Sequence, residues 1–189
     1  MKVSREQAAK HRERILDVAA KMFRERGFDG IGVADLMQQA GFTHGGFYGH
    51  FASKEALMAQ ACARAFAEKV ALWHEERELD VDRPLASAAT YYLTAAHRDD
   101  PGTGCPMATL ASDVARQAPS IRRAFTEGLR QLVELLTAKL PGSSQAGKRR
   151  SALAAWATLV GALMLARAVD DPELSDEILH AVSASLSAL

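Results

Sequence analysis

The apolar residues of this chain recur at helical spacing from end to end, and no stretch shows the sustained alternation of a half-buried strand. Its β-branched residues are scattered through Ala- and Leu-rich segments, so the pattern predicts an all-α fold of about nine helices. Ile15, Ala19, Met22 and Phe23 mark a first helix over 5 to 26, stopped by Gly27. A short second helix over 33 to 40 has Gly32 as N-cap, Asp35 in its first turn and Gly41 at its end, and Thr43 then opens another short segment reaching Phe51. Ser53 caps a long helix to residue 79, striped by Leu57, Met58, Ala61, Cys62, Ala65, Phe66, Leu72 and Trp73. At ~1.5 Å per residue it is long enough to join two subdomains mechanically. Pro84, Pro106, Pro119 and Pro172 each open a further helix, over 84 to 97, 106 to 117, 119 to 139 and 172 to 188. A turn over 99 to 104 and a linker over 141 to 147 separate them, and the latter leads into a helix over 148 to 169.

Charge is balanced overall but not along the chain. Residues 1 to 54 carry nine Lys or Arg against six Asp or Glu, and the remainder 14 against 17, so a head of +3 sits on a body of −3. A mildly basic head suits a module that approaches phosphates. Cys62 and Cys105 are too few for a disulfide framework, and no apolar signal segment opens the chain, which points to a reducing cytoplasm. Residues 154 to 169 have only Thr158 and Arg167 as polar side chains, but sixteen residues fall short of the ~20 that cross a bilayer, so no membrane role is expected.

Residues 33 to 51 hold two short helical segments separated by Gly41 and Phe42, the spacing of a helix-turn-helix. Gly45, Gly46 and Gly49 sit in the second, where each costs a helix about 1 kcal/mol relative to Ala. One reading is a Gly-rich loop. The other is a helix whose missing Cβ atoms let its backbone press against a phosphate or base edge. The neighbours favour the second: Thr43 and His44 are hydrogen-bonding groups expected to face outward, Tyr48 and His50 can donate to phosphate oxygens, and Lys54 opens the next helix. Phe47 and Phe51 are assigned to a small core with Phe23, Leu36 and Phe42.

The run Gly41-Phe42-Thr43-His44-Gly45-Gly46-Phe47-Tyr48-Gly49-His50-Phe51-Ala52-Ser53-Lys54-Glu55-Ala56-Leu57 resembles the signature of the TetR family of transcription regulators. It departs from that signature at Gly32, where the family often has Thr or Ser, and at Gly49, where it often has an aromatic. The resemblance implies a helix-turn-helix DNA-binding domain over 1 to 52 and a helical effector-binding and dimerisation domain over 53 to 189. It implies that Thr43, His44, Gly45 and Gly46 face double-stranded DNA and that Tyr48, His50 and Lys54 hold its phosphates. It further implies a repressor, released from a palindromic operator by a small-molecule effector or an electrophile.

A lone helix-turn-helix contacts too little DNA for useful selectivity, so such modules work as symmetric pairs. Trp156, Leu159, Val160, Leu163 and Met164, with Ile178 and Val182 on the last helix, are the expected seam of a homodimer. The alternative is a central helix of a monomer. Phe66, Trp73, Tyr91, Tyr92, Met107 and Phe125 are candidates for an apolar effector pocket with phenolic handles, or for ordinary core. Cys105 lies between Gly104 and Pro106 at a helix N-terminus, where unpaired amides favour a thiolate, with His97 and Arg98 shortly before it. Its Gly-Cys-Pro-Met setting, followed by a helix and then Pro119-Ser120-Ile121, resembles a TetR subgroup whose cysteine senses electrophiles or oxidants. The bland alternative is an unreactive turn residue.

Enzyme chemistry is not legible. His74-Glu75-Glu76-Arg77-Glu78 lacks the second histidine of a zinc-protease helix, and there is no P-loop or complete dinucleotide fingerprint, so no metal or cofactor is expected. A helical protein that binds another protein instead of DNA stays open as the rival reading.

Overall fold

The computed structural model describes residues 4–75 and 82–188, with nine α-helices, one 3-10 helix and, among the described residues, no strand. Most of His74-Glu75-Glu76-Arg77-Glu78, and the predicted stretch of helix beyond Glu75, lie outside the described residues.

Helix α1 (Arg5–Arg26) starts in a reciprocal cap: Ser4 accepts from the Gln7 amide at 3.1 Å and donates its own amide to the Gln7 side chain at 3.0 Å. Gly27 ends it with φ +72°, and a Cβ there would stand 2.4 Å from the Asp113 carboxylate. Helix α2 (Val33–Ala40) ends at Gly41 in the left-handed region, φ +84°, with the Phe42 amide bonding back to the Met37 carbonyl at 2.8 Å. Gly32 supplies no side-chain cap.

The segment His44–Gly49 is a 3-10 helix. Three glycines in six residues leave an α-helix with little propensity, and the tighter i to i+3 ladder suffices for so short a piece. Phe47 and Phe51 anchor it, stacked at 5.8 Å and buried, in the core that also holds Phe23, Phe28 and Leu36. Phe42 is only half-buried.

Helix α3 (Lys54–Glu75) packs on both α1 and α7 (Pro119–Lys139), so one element joins head and body. Gly128 makes the second contact close, since a Cβ there would lie 2.1 Å from the Phe66 ring. The region predicted as one helix over 84 to 97 is two, α4 (Pro84–Tyr92) and α5 (Ala95–Asp99), which brings the count to ten. Thr94 causes the break: its extended backbone and side chain cap α5 by accepting from the His97 amide at 3.1 Å. Helix α6 (Pro106–Val114) begins with Cys105 as N-cap. Helix α8 (Gln145–Ala168) starts three residues before the expected Lys148, because Ser144 accepts from the Gly147 amide at 3.2 Å. Helix α9 (Pro172–Ser187) is capped by Asp171. By length and composition α8 is apolar enough to cross a membrane, yet its Trp156, Leu159 and Leu163 edge packs into the chain's own core.

Candidate nucleic-acid interface and interior chamber

In the head, Thr43, His44, Gly45, Gly46, Tyr48 and Gly49 all stand at the surface, with Tyr48 70% exposed, while Phe47 between them is buried. The 3-10 helix therefore has one face in the core and the opposite face in solvent. Positive φ among the described residues occurs only at Gly27, Gly41 and Gly142, so the backbone at 45, 46 and 49 suits any L-residue. A Cβ on Gly45 or Gly49 would meet nothing within 4 Å, and one on Gly46 would make ordinary contact with Met37 at 3.7 Å. Nothing among the described residues asks for glycine at 45 or 49, although each lowers helix stability by about 1 kcal/mol relative to Ala.

His50 sits half-buried beside Phe42 and His11, its ring 6.3 Å from each. Burial first, then the nearby His11 and Arg12, hold its pKa below the ordinary histidine value. Arg12 lies over the Phe51 ring at 5.0 Å and donates to Gln60. Lys54, half-buried in the first turn of α3 and without an ion pair among the described residues, stands where ammonium and helix terminus together favour phosphate. Much of the head's basic excess is otherwise engaged, as in Lys10 with Glu6, Lys21 with Glu25 and Arg24 with Glu68.

In the body a chamber of about 350 Å³ opens between α3, α4, α5 and the 100 to 105 turn, lined by Trp73, Tyr91, Tyr92, Lys69, His97 and Cys105 among others. Of the six predicted pocket residues, Trp73, Tyr91 and Tyr92 come together here. Phe66 and Phe125 instead meet edge-on at 5.1 Å between α3 and α7, and Met107 is buried on α6, so none of these three lines it. Sequence reasoning missed Lys69 as a wall residue. The signal for the chamber was Thr94, a helix cap inside an otherwise continuous pattern.

His97 bridges the chamber's back wall. Its Nε2 accepts the Cys105 amide at 2.9 Å and its Nδ1 lies 2.8 Å from the Tyr92 carbonyl, which assigns the proton to Nδ1. Burial lowers its pKa to about 4, against the bond to the Tyr92 carbonyl that raises it, with Arg167 and Lys69 lowering it further. Arg98 turns away from Cys105 to Asp176 and Ser175, at 2.6 and 3.0 Å. The Cys105 thiol is buried, and burial pushes its pKa up, opposed by Tyr92 and by the amides of Met107 and Ala108. The helix N-terminus does favour the thiolate as expected, but desolvation outweighs it. Burial also pushes the Cys62 thiol up to about 12.

On the far side, the expected seam divides. Trp156, Leu159 and Leu163 are buried within the single chain, the Trp156 Nε1 donating to the Leu132 carbonyl at 3.1 Å, so they cannot meet a second chain. An inner edge of α8 must fill its own core before any partner arrives. Val160, Ile178 and Val182 are half-buried, and the large apolar side chains that α8 leaves in solvent are Leu153, Met164 and Leu165. No cluster of metal-ligating side chains occurs among the described residues.

Two family descriptions match the chain, "Bacterial regulatory proteins, tetR family" over residues 15–61 and "Transcriptional regulator LmrA/YxaF-like, C-terminal domain" over residues 85–184. The transcriptional regulator YerO of Bacillus subtilis is 37% identical over 51 residues, 27% of this chain and 18% of its own length. The transcriptional repressor NemR of Escherichia coli is 30% identical over 135 residues, covering 68% of this chain and 66% of its own length. The chain thus spans less than two thirds of each. The crystal structure of reduced E. coli NemR superposes with a TM-score of 0.76 at 24% identity, over 95% of this chain and 96% of that one.

Proposed function

Because the chain belongs to the TetR family of bacterial regulatory proteins, we propose that it is a cytoplasmic, homodimeric transcription repressor that releases a palindromic operator when an effector occupies its interior chamber. The observation that carries this is the pair Gly45 and Gly49, where no internal contact and no backbone torsion calls for glycine. A costly residue type on an outward face is explained by a backbone pressed against another molecule. Thr43, His44, Gly45 and Gly46 face the bases, and Tyr48, His50 and Lys54 hold the phosphates. The reading head runs over 1 to 52 and the effector and dimer domain over 53 to 189.

The dimer forms through the outer edge of α8, the exposed Leu153, Met164 and Leu165 with the half-buried Val160, together with Ile178 and Val182 of α9. Signalling is a shift of population: a ligand favouring a tilt of α3 moves the two reading heads out of groove register. Selection from random DNA should return a palindrome, and affinity for it should fall by orders of magnitude between about 50 and 200 mM salt. Absence of salt-dependent binding would leave the chain a helical protein-binding module.

Cys105 supports a second trigger, because it is among the residues that line the same chamber. Comparing DNA release by N-ethylmaleimide in the wild type and Cys105→Ser tests it. Equal responses remove Cys105 from the switch.

A further inference from the structure

Resting on the reading of the chain as a DNA-binding repressor, we propose that its body adds a second contact to the duplex, in which Arg122 and Arg123 of α7 hold backbone phosphates beside those held by the reading head. The starting observation is a basic run in an acidic body. Residues 114 to 126 carry three arginines and no acid, whereas the rest of residues 55 to 189 carries 11 Lys or Arg against 17 Asp or Glu. Arg116 is paired with Asp113 at 2.8 Å. Arg122 and Arg123 are exposed, and neither side chain has an ion pair or hydrogen bond among the described residues.

The fold sets this run against the edge of the head. Asp113 accepts from the Phe28 amide at 3.2 Å and Gln117 donates to Asp29 at 3.5 Å, both shortly before α2. The Ser120 hydroxyl donates to Glu55, the residue after Lys54. Helices α3 and α7 run side by side in the same direction, since Glu55 meets Ser120 and Phe66 faces Gly128. Their N-termini therefore stand at one end of the body, the end that carries the head. Arg122 and Arg123 follow Ser120 by two and three residues, so their backbones lie within about 5 Å of the Glu55 contact along the α7 axis.

Nothing in the chain neutralises the two charges. Glu55 is engaged by Ser120, Glu127 lies 3.7 Å from Arg130, and the first turn of α7 holds no acid. Two adjacent cations near a helix N-terminus gain nothing from a macrodipole that favours anions there. A duplex is the anion that the neighbouring Lys54 already serves, and it takes up such cations by releasing counterions. Arginine suits it, because a guanidinium fork can meet two phosphate oxygens at once. Such a contact positions the body and reads no base.

The chain also contains its own control. Arg149 and Arg150 form a second exposed pair, on α8, which begins beyond the far end of the 21-residue α7. At ~1.5 Å per residue that end lies about 30 Å from the head.

The probe is a fluorescein-labelled duplex of mixed sequence, titrated with the full chain between about 50 and 200 mM salt. Arg122→Ala with Arg123→Ala should lower the slope of log affinity against log salt by about 1.8 for each chain engaged, and weaken binding roughly tenfold or more at about 0.1 M salt. Arg122→Lys with Arg123→Lys should keep most of the slope, and Arg149→Ala with Arg150→Ala should keep all of it. These positions are exposed, so the alanine pairs should fold as the wild type does; Arg122→Gln with Arg123→Gln carries the same prediction if alanine disturbs the helix. An unchanged slope without the two arginines, a slope lost in the lysine pair, or an equal fall without Arg149 and Arg150 would overturn the proposal. Lys54→Ala separates this contact from the reading head: a lower slope there, with none lost at Arg122 and Arg123, leaves the head binding alone. A wild-type chain that takes up no duplex at about 50 mM salt sinks both readings.

Discussion

Arg24 on α1 donates its Nε to the carbonyl oxygen of Gly102 at 2.7 Å, across 78 residues of chain. Its Nη1 pairs with Glu68 of α3 at 2.8 Å, and the Arg24 side chain is buried. Gly102 belongs to the turn whose next three residues, Thr103, Gly104 and Cys105, line the chamber. A single guanidinium therefore ties the first helix of the head to the wall of the chamber. Asp113 on α6 makes a parallel tie by accepting from the Phe28 amide at 3.2 Å.

Arg24→Met should cut the first of these ties. It removes a buried charge-assisted hydrogen bond and leaves the Gly102 carbonyl without its donor, a loss of about 1.5–3 kcal/mol. Glu68, with its side chain 38% exposed, can return to water, so the fold survives. Thermal unfolding should show the loss, operator affinity without effector should stay within a few-fold of wild type, and effector-driven release should weaken. Full release in Arg24→Met would put the signal on another route.

Gly45→Ala and Gly49→Ala should shift stability and DNA binding in opposite directions. Neither Cβ meets an atom within 4 Å and neither backbone is at positive φ, so each change should stabilise the free chain by ~0.4–1 kcal/mol. A methyl group between backbone and duplex should weaken operator binding, measured on the same preparations. Tighter folding with unaltered DNA affinity would show that no duplex approaches these positions.

Most of the architecture was legible because its signals are local. Gly27 and Gly41 are stops whose torsions only glycine adopts readily, and Pro106, Pro119 and Pro172 stand at first helical positions where a missing amide costs nothing. Thr94 and Ser144 were overlooked for the same local reason in reverse, since a capping side chain inside an apolar pattern reads as an ordinary polar residue until its bonds are seen. The outward face of the head followed from Phe47 and Phe51 pointing in. The chamber was half legible: aromatic side chains can be found in a sequence, but whether Phe66 lines a cavity or fills the gap over Gly128 depends on how α3 and α7 approach. Likewise an apolar helix such as α8 announces burial without saying which edge is buried by its own chain.

His97 makes stability depend on acidity. Its ordinary pKa of 6.5 is lowered to about 4 in the folded chain, so the unfolded chain takes up the proton first as pH falls. The contribution is fully present above 6.5 and is lost progressively towards 4, amounting to about 3 kcal/mol at ~1.36 kcal/mol per tenfold difference in proton affinity. Denaturant unfolding of the wild type and His97→Gln across that window should give a shallower dependence in the variant. Parallel curves would mean that protonation elsewhere governs acid sensitivity.

Leu163 and Leu165 lie two residues apart on α8 and should respond oppositely to the same substitution. Leu163 is fully buried in the chain's own core, and a glutamate there would be an unpaired charge in an apolar interior, so Leu163→Glu should unfold the protein. Leu165 is 59% exposed, and on a free surface glutamate is tolerated within about 0.5 kcal/mol. If two copies meet along this edge, Leu165→Glu places two carboxylates in one apolar seam, which separates the copies without unfolding either. Sedimentation should then show a folded monomer, and operator affinity should collapse because the two reading heads no longer share one duplex at the ~34 Å spacing of a helical turn. A Leu165→Glu protein that stays dimeric would move the seam off α8, away from Leu153, Met164 and Leu165 together.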